Sequence, residues 1–356
     1  THQPGINEWF ETVKLNYGVD IQNGRQKHFD PIPDTWTKMK DILLYWSAKT
    51  VDGFRCDMAE MVPVEFWSWV IPQVKAQYPD IIFIAEIYNP AEYVNYIRQG
   101  KFDFLYDKVQ LYDTLRFLIS GSSSTADIPK IQSSLQGIRD QMLHFLENHD
   151  EQRIASRFFA GDPWKAWPAM VISATIDGGP VMIYFGQEVG EPGLGTEGFQ
   201  GDDGRTTIFD YWGVPEHQKW MNGGEFDGGL LSENQKTLRS AYARLLKVAG
   251  TQSAIVNGAY ADLTEANIKA GNFDSRVAAY IRYTDEEKLI VVANFHETER
   301  TLAITIPADI AGITGIPDGE SLRLADLLNS EITTNLNNLS MNITLGPYSA
   351  SIFRLP

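Results

Sequence analysis

The sequence predicts a parallel α/β fold followed by a small antiparallel β domain, and three observations carry that reading. Short β-rich apolar runs alternate with helix-like stretches up to about residue 250. Such alternation marks strands joined by helical crossovers, which makes the strands parallel. Beyond residue 252 the apolar period changes to two: Leu302, Ile304 and Ile306 alternate with Thr301, Ala303 and Thr305. That is the pattern of antiparallel strands with one buried face. Composition agrees, because 356 residues at 43% hydrophobic and 21% charged supply ample apolar surface and exclude disorder over most of the chain.

Taken in order, Trp36, Met39, Leu43 and Trp46 recur at spacings of three and four, predicting an amphipathic helix over 34–49. A strand is expected at 51–57, a helix over 63–77, and a strand over 81–85 that ends at Glu86. Further strands are expected at 102–106, 144–146 and 181–185. Continuous apolar runs of this length suit parallel strands covered on both faces. The Gly- and Asp-rich stretch 190–229, with Trp212 and Trp220, reads as a long loop, and loops of that length are more often functional than idle. Ser232-Glu233-Asn234-Gln235 forms a capping box, opening a helix with Leu238, Ala241, Tyr242 and Leu245 on one face. Strands follow at 277–283 and 289–295, and the Asn-rich 333–338 reads as a turn. The domain boundary is placed near residue 252, giving domains 1–251 and 252–356.

With 46 Asp and Glu against 30 Lys and Arg, the net charge is −16. Nucleic acid is therefore not expected as a partner, since phosphate binding needs clustered positive charge. A single cysteine, Cys56, excludes an intrachain disulfide and a cysteine-rich zinc site; strand alternation turns it away from Asp57, as a small buried residue. No apolar run reaches the roughly 20 residues of a membrane span, so a soluble chain is expected. Thr1-His2-Gln3-Pro4-Gly5 reads as a processing boundary without a signal-peptide pattern. The compartment stays open, an extracytoplasmic or secreted one being favoured.

Three acids, Asp57, Glu86 and Asp150, stand where predicted strands end. In a parallel α/β protein the carboxyl ends of the strands share one face, so residues distant in sequence can form one carboxylate cluster. Retaining glycoside hydrolysis needs two such groups roughly 5–5.5 Å apart, a nucleophile and a proton donor. Each acid alone could equally be a helix cap or a solvated loop residue. Arg55 and His149 lie beside them, which favours a cluster.

Asp52-Gly53-Phe54-Arg55-Cys56-Asp57-Met58-Ala59 resembles the nucleophile strand of the α-amylase family of glycoside hydrolases. Phe83-Ile84-Ala85-Glu86 resembles its acid/base strand, and Phe145-Leu146-Glu147-Asn148-His149-Asp150 its Asn-His-Asp segment. Residues 180–188 resemble the last barrel strand, and Lys14-Leu15-Asn16-Tyr17 a short motif before the fourth. The resemblance implies a (β/α)8 TIM-barrel catalytic domain, here its strands four to eight, followed by an antiparallel β-sandwich domain. It implies Asp57 as nucleophile, Glu86 as acid/base and Asp150 as the group that holds substrate hydroxyls and distorts the ring. Arg55 would orient Asp57 and keep it ionised, while Glu86 would sit partly buried among carboxylates so that it holds its proton. His149, otherwise readable as a core histidine, would bond a sugar hydroxyl. Tyr88, Tyr211 and Trp212 could stack on sugar rings or simply pack.

The sequence departs from the family in two places. Nothing before Asp57 resembles the early barrel strands, so the chain reads as part of a longer enzyme whose remaining strands come from another segment or chain, or from self-association, a degenerate relative being the alternative. Where many α-amylases carry Lys-His after the nucleophile strand, this chain has Glu60-Met61. Calcium is not implied there; Glu197, Asp202 and Asp203 could bind a cation, but read better as a solvated acidic loop. The expected substrate is an α-1,4-linked glucan such as starch or a maltooligosaccharide. A transglycosylase of the same family and a non-catalytic glucan-binding module are the alternatives.

Overall fold

The computed structural model describes residues 15–195, 201–206, 214–319 and 321–355. The chain forms two compact units, 1–106 and 107–356.

The first unit begins with a two-residue antiparallel ribbon, β1 (Val19–Asp20) and β2 (Gln26–Lys27). Helix α1 (Asp34–Ser47) leads to strand β3 (Gly53–Cys56), α2 (Val64–Lys75) to β4 (Ile82–Ala85), and α3 (Tyr93–Arg98) to β5 (Phe104–Tyr106). The three strands are parallel, with Cys56 opposite Ala85 and Ala85 opposite Leu105. Rings cement the helices: Phe66 lies 5.0 Å from Tyr17 and 5.6 Å from Trp36, and Trp67 lies 4.9 Å from Phe102. Trp36 is buried as expected, but Trp46 is half exposed. Ten residues at 3.6 per turn leave Trp46 about 80° round the helix from Trp36, so it falls outside the buried stripe.

The second unit opens with a π-helical turn at Lys108–Tyr112, then α4 (Asp113–Ile119) and α5 (Asp127–Ser134). Strand β6 (Met142–Phe145) pairs in parallel with β7 (Val181–Met182), across α6 (Trp167–Thr175). All nine residues of α6 are buried, the mark of a helix covered all round. Within the stretch expected to be a loop, Pro215–Met221 forms a helix, α7. Pro215 at its first turn, Glu216 beside the helix N-terminus and left-handed Asn222 at its end are ordinary start and stop signals, masked by the surrounding glycines. Helix α8 (Glu233–Thr251) starts at the expected capping box, with Gln235 N–H donating to Ser232 Oγ and Ser232 N–H to Gln235 Oε1. Its face Leu238, Tyr242, Leu245 is buried.

After α9 (Ser253–Val256) come β8 (Ala259–Asp262), α10 (Thr264–Ala270), β9 (Val277–Tyr283), β10 (Lys288–Asn294), β11 (Arg300–Thr305), α11 (Ala308–Thr314), β12 (Ser321–Asp326), β13 (Thr333–Asn337), β14 (Ser340–Leu345) and β15 (Ser349–Arg354). The expectation of a β-sandwich needs correction. The strands form one eight-stranded ladder in the order β11-β14-β13-β12-β15-β10-β9-β8. Two of its joints, β12–β15 and β13–β14, are only two residue pairs long, and one apolar core draws on all eight strands, from Ala261 to Phe353. A single sheet thus wraps its own core. Residues 333–337, expected as a turn, are strand β13: Leu336 enters the core and ladder pairing overrides the low strand propensity of Asn. The turn falls at Asn338 and Leu339, both at positive φ, as a two-residue hairpin requires.

The sheet's other face packs on the helices. Tyr280, Val291 and Ile352 share a core with Met170, Leu238 and Leu245. Arg282 is buried and donates to the carbonyls of Ala254, Ile176, Ile255 and Gly258 at 2.7–3.1 Å. The change of period near residue 252 is therefore a change of architecture inside one compact unit. No helix among the described residues is long and apolar enough to cross a membrane.

Candidate active site

In the first unit, strand register creates the site. Because Cys56 and Ala85 are partners in the β3–β4 ladder, the residues one step further, Asp57 and Glu86, leave neighbouring strand ends together. Glu86 N–H donates to the Cys56 carbonyl at 3.1 Å, and Ala59 N–H to the Glu86 carbonyl at 3.1 Å. Between them Met58 adopts a left-handed conformation, φ 42°, uncommon for a residue with a side chain. That turn aims the Met58 N–H at Glu86 Oε2, 2.7 Å away.

Arg55 joins the two acids. One guanidinium nitrogen pairs with Asp57 Oδ1, and the other lies 2.9 Å from Glu86 Oε1. The expectation was an arginine serving Asp57; the structure shares it between both carboxylates. Arg55 Nε donates to Tyr106 Oη at 3.3 Å, with the guanidinium 5.2 Å from that ring. Burial works against the arginine's charge, but Tyr106, Asp57 and Glu86 outweigh it and hold Arg55 above its usual range. The acids differ in access: the Asp57 side chain is 73% exposed, that of Glu86 only 2%. Tyr88 Oη donates to Glu86 Oε1 at 2.9 Å, so Glu86 meets Arg55, Tyr88 and the Met58 N–H.

Glu60, standing where a lysine was expected in the family, has a structural task. Its Oε2 accepts the N–H groups of Tyr88 at 3.2 Å and Asn89 at 3.1 Å, tying down the loop that carries Tyr88. The Cys56 thiol is pushed up to about 12 by burial, which removes it as a nucleophile near neutral pH. Of the upstream motif, Lys14 lies outside the described residues, while the Tyr17 carbonyl accepts from Trp36 Nε1 at 3.0 Å.

In the second unit, the segment after β6 is fastened residue by residue. Asn148 Oδ1 accepts the N–H groups of Asp150 at 2.9 Å and Glu151 at 2.8 Å. Glu151 meets Tyr112 Oη at 2.8 Å and Lys108 Nζ at 3.1 Å, and Gln152 meets Arg116 Nη2 at 2.6 Å. Asp150 keeps 38% of its side chain exposed, with His149 Nε2 at 3.3 Å from its Oδ2. The structure thus brings Arg55, Asp57, Glu86 and Tyr88 together in the first unit, and His149 with Asp150 in the second. Tyr106 and Arg153 were not singled out in the sequence, and Glu60 and Glu147 were read only as parts of motifs, since roles that come from contacts with residues distant in the chain carry no periodic signal. The acids expected to lie in a loop have partners: Asp202 pairs with Arg157 and Asp203 with Arg205. Glu197, Tyr211 and Trp212 lie outside the described residues, and among those described no group of three or more His, Cys, Asp or Glu is placed to hold a metal.

These features fit a family of glycan-active enzymes. The description "Alpha amylase, catalytic domain" matches residues 31–209, just over half of the chain, and the chain belongs to the α-amylase family. Alpha-amylase 3 of Dictyoglomus thermophilum is 24% identical over 345 residues, covering 91% of this chain and 62% of its own length. An alpha-1,4-glucan:maltose-1-phosphate maltosyltransferase of Cereibacter sphaeroides is 40% identical over 91 residues, 23% of this chain and 15% of the transferase. Among solved structures, an Anoxybacillus alpha-amylase superposes with a TM-score of 0.68 at 18% identity, over 92% of this chain and 64% of that one. That likeness is one of fold, a (β/α)8 barrel with a C-terminal β-sheet domain. The chain spans less than two thirds of the length of the two alpha-amylases.

Proposed function

We propose that this chain carries the reacting groups of a retaining glycosidase for α-1,4-glucosidic bonds in starch or maltooligosaccharides. The observation that carries the reading is one guanidinium holding an exposed Asp57 and a buried Glu86 side by side. Two carboxylates on adjacent nitrogens of one arginine are close neighbours, as a retaining mechanism requires. The exposed Asp57 attacks the anomeric carbon with the oxygen not engaged by Arg55, forming a glycosyl ester. Glu86 gives its proton to the departing glycosidic oxygen, then takes one from the incoming water, which releases the sugar with its configuration kept. Asp150 holds ring hydroxyls, and His149, 3.3 Å from it, donates to another. In this reading the five parallel strands are strands four to eight of the barrel, residues 1–251 are catalytic, and 252–356 form the appended β domain.

A second reading replaces water by a sugar hydroxyl, making the protein an α-glucan transglycosylase. The 40% identity to a maltosyltransferase over 91 residues favours it. The test is release of reducing ends from soluble starch, beside Glu86→Gln. Release that the variant lacks supports hydrolysis. Disproportionation of maltoheptaose into longer and shorter chains, again lost in Glu86→Gln, supports transfer. A folded wild-type chain that binds maltoheptaose without turnover indicates a glucan-binding module instead.

A further inference from the structure

Arg153 has no part in the chemistry above, yet it is, with Arg282, the largest fully buried side chain among the described residues. It sits three positions after Asp150. Its Nη1 donates to Glu147 Oε2 at 2.8 Å and its Nε to Thr206 Oγ1 at 3.0 Å. The guanidinium lies over the Tyr184 ring at 4.1 Å and beside that of Phe185 at 5.2 Å. Its backbone N–H reaches the Gly204 carbonyl at 2.7 Å. Glu147 in turn accepts the Ile154 N–H at 2.6 Å, and burial raises its pKa despite the arginine beside it. One ion pair thus closes the chain from Glu147 to Ile154 into a loop. The same guanidinium ties that loop to Tyr184 and Phe185 beyond β7, and to the piece Gly201–Thr206.

We propose that Arg153 is a positioning residue: its buried pair with Glu147 sets the conformation in which Asn148, His149 and Asp150 are presented. The inference rests on the reading of Asp150 as a substrate-holding carboxylate. A buried charge pair is poor at raising stability, since both ions lose their water, but it constrains geometry through the bonds it makes; here Nη1 and Nε are bonded and Glu147 accepts twice, while Arg153 Nη2 has no hydrogen-bond partner among the described residues. Arginine's planar fork reaches Glu147 and Thr206 while its face stacks on Tyr184; lysine offers one point charge and no plane.

Two variants of the full chain separate positioning from mere stability. Arg153→Lys keeps the charge and loses the fork. The pair Glu147→Gln with Arg153→Met removes both charges of the pair together, and the nearby buried Glu191 keeps its bonds from the Gly193 and Glu216 N–H groups. In each folded variant the Asp150 and Glu151 amides, bonded to Asn148 in the parent, are expected to exchange hydrogen about 100-fold faster, with the C-terminal sheet unchanged. On maltoheptaose, kcat falls about 100-fold while KM moves less than about threefold, the cost of a carboxylate displaced by about 1 Å. A folded pair variant with parental exchange and parental kcat overturns the proposal. If the parent itself neither binds nor turns over maltoheptaose, the glucanase reading fails; exchange at Asp150 and Glu151 still decides the role of Arg153.

Discussion

Arg55 shows how much of the site depends on a single side chain. It is the shared partner of Asp57 and Glu86 and is itself braced by Tyr106. Arg55→Met is expected to leave buried Glu86 without its cation, costing about 2 kcal/mol after allowance for the quarter of Arg55 open to solvent, which a urea titration measures. Its effect on turnover is expected to be larger, about 10³-fold in kcat, because both carboxylates of the proposed site lose alignment. Tyr88→Phe removes one donor from Glu86 and is expected to cost turnover about tenfold with stability within about 1 kcal/mol; a loss as large as that of Glu86→Gln would mean that Tyr88 takes part in the chemistry. Glu86 was legible because it closes an apolar run, which locates it at a strand end, and Asp57 and Asp150 through the motifs that contain them. Tyr106, Glu60 and Arg153 were not, because their roles come from contacts with residues distant in sequence, such as Glu60 with Tyr88.

Among the elements, β6 carries a buried charge cluster around His144. His144 is 1% exposed, with Asp177 Oδ1 at 2.8 Å and Asp107 Oδ2 at 3.3 Å. Burial opposes its charge, but Asp177 and Asp107 prevail and raise it to about 10, while Asp177 is held low despite its own burial, by the His144 charge. A histidine whose folded pKa lies above its unfolded value of about 6.5 adds stability that is complete below about pH 6.5 and lost as pH rises through about 10. Unfolding free energy should therefore decline between pH 7 and 10, and in His144→Gln that alkaline decline should be much smaller; an equal slope in both proteins contradicts the assignment. Ser232→Ala removes the capping box of α8 and is expected to cost about 1 kcal/mol. Helices α1 and α8 were readable from apolar period and caps, and the parallel strands from their runs. Helix α7 and strand β13 were not. Glycines surround the first, and in the second only Leu336 reports the buried face.

For the molecule as a whole, the informative feature is the core that α6 and α8 share with the C-terminal sheet. Pattern alone divides the chain at residue 252, because period changes there; it carries no record that Leu238 and Leu245 meet Val291 and Ile352 in one cluster. Amides of α6, α8 and β10 should accordingly lose protection together in native-state hydrogen exchange, whereas independent opening of the sheet would show that the shared core is weak. Membership of the α-amylase family was legible through motifs at strand ends, while the single wrapped sheet was not, since alternation fixes which face of a strand is buried and not which strands pair. The central claim is a covalent intermediate on Asp57. It is tested most directly by incubating Glu86→Gln with α-maltosyl fluoride, whose fluoride leaves without an acid, and digesting the protein for mass spectrometry. A maltosyl group on Asp57 is the predicted result; the absence of any adduct, while fluoride is released with inversion at the anomeric carbon, would contradict it.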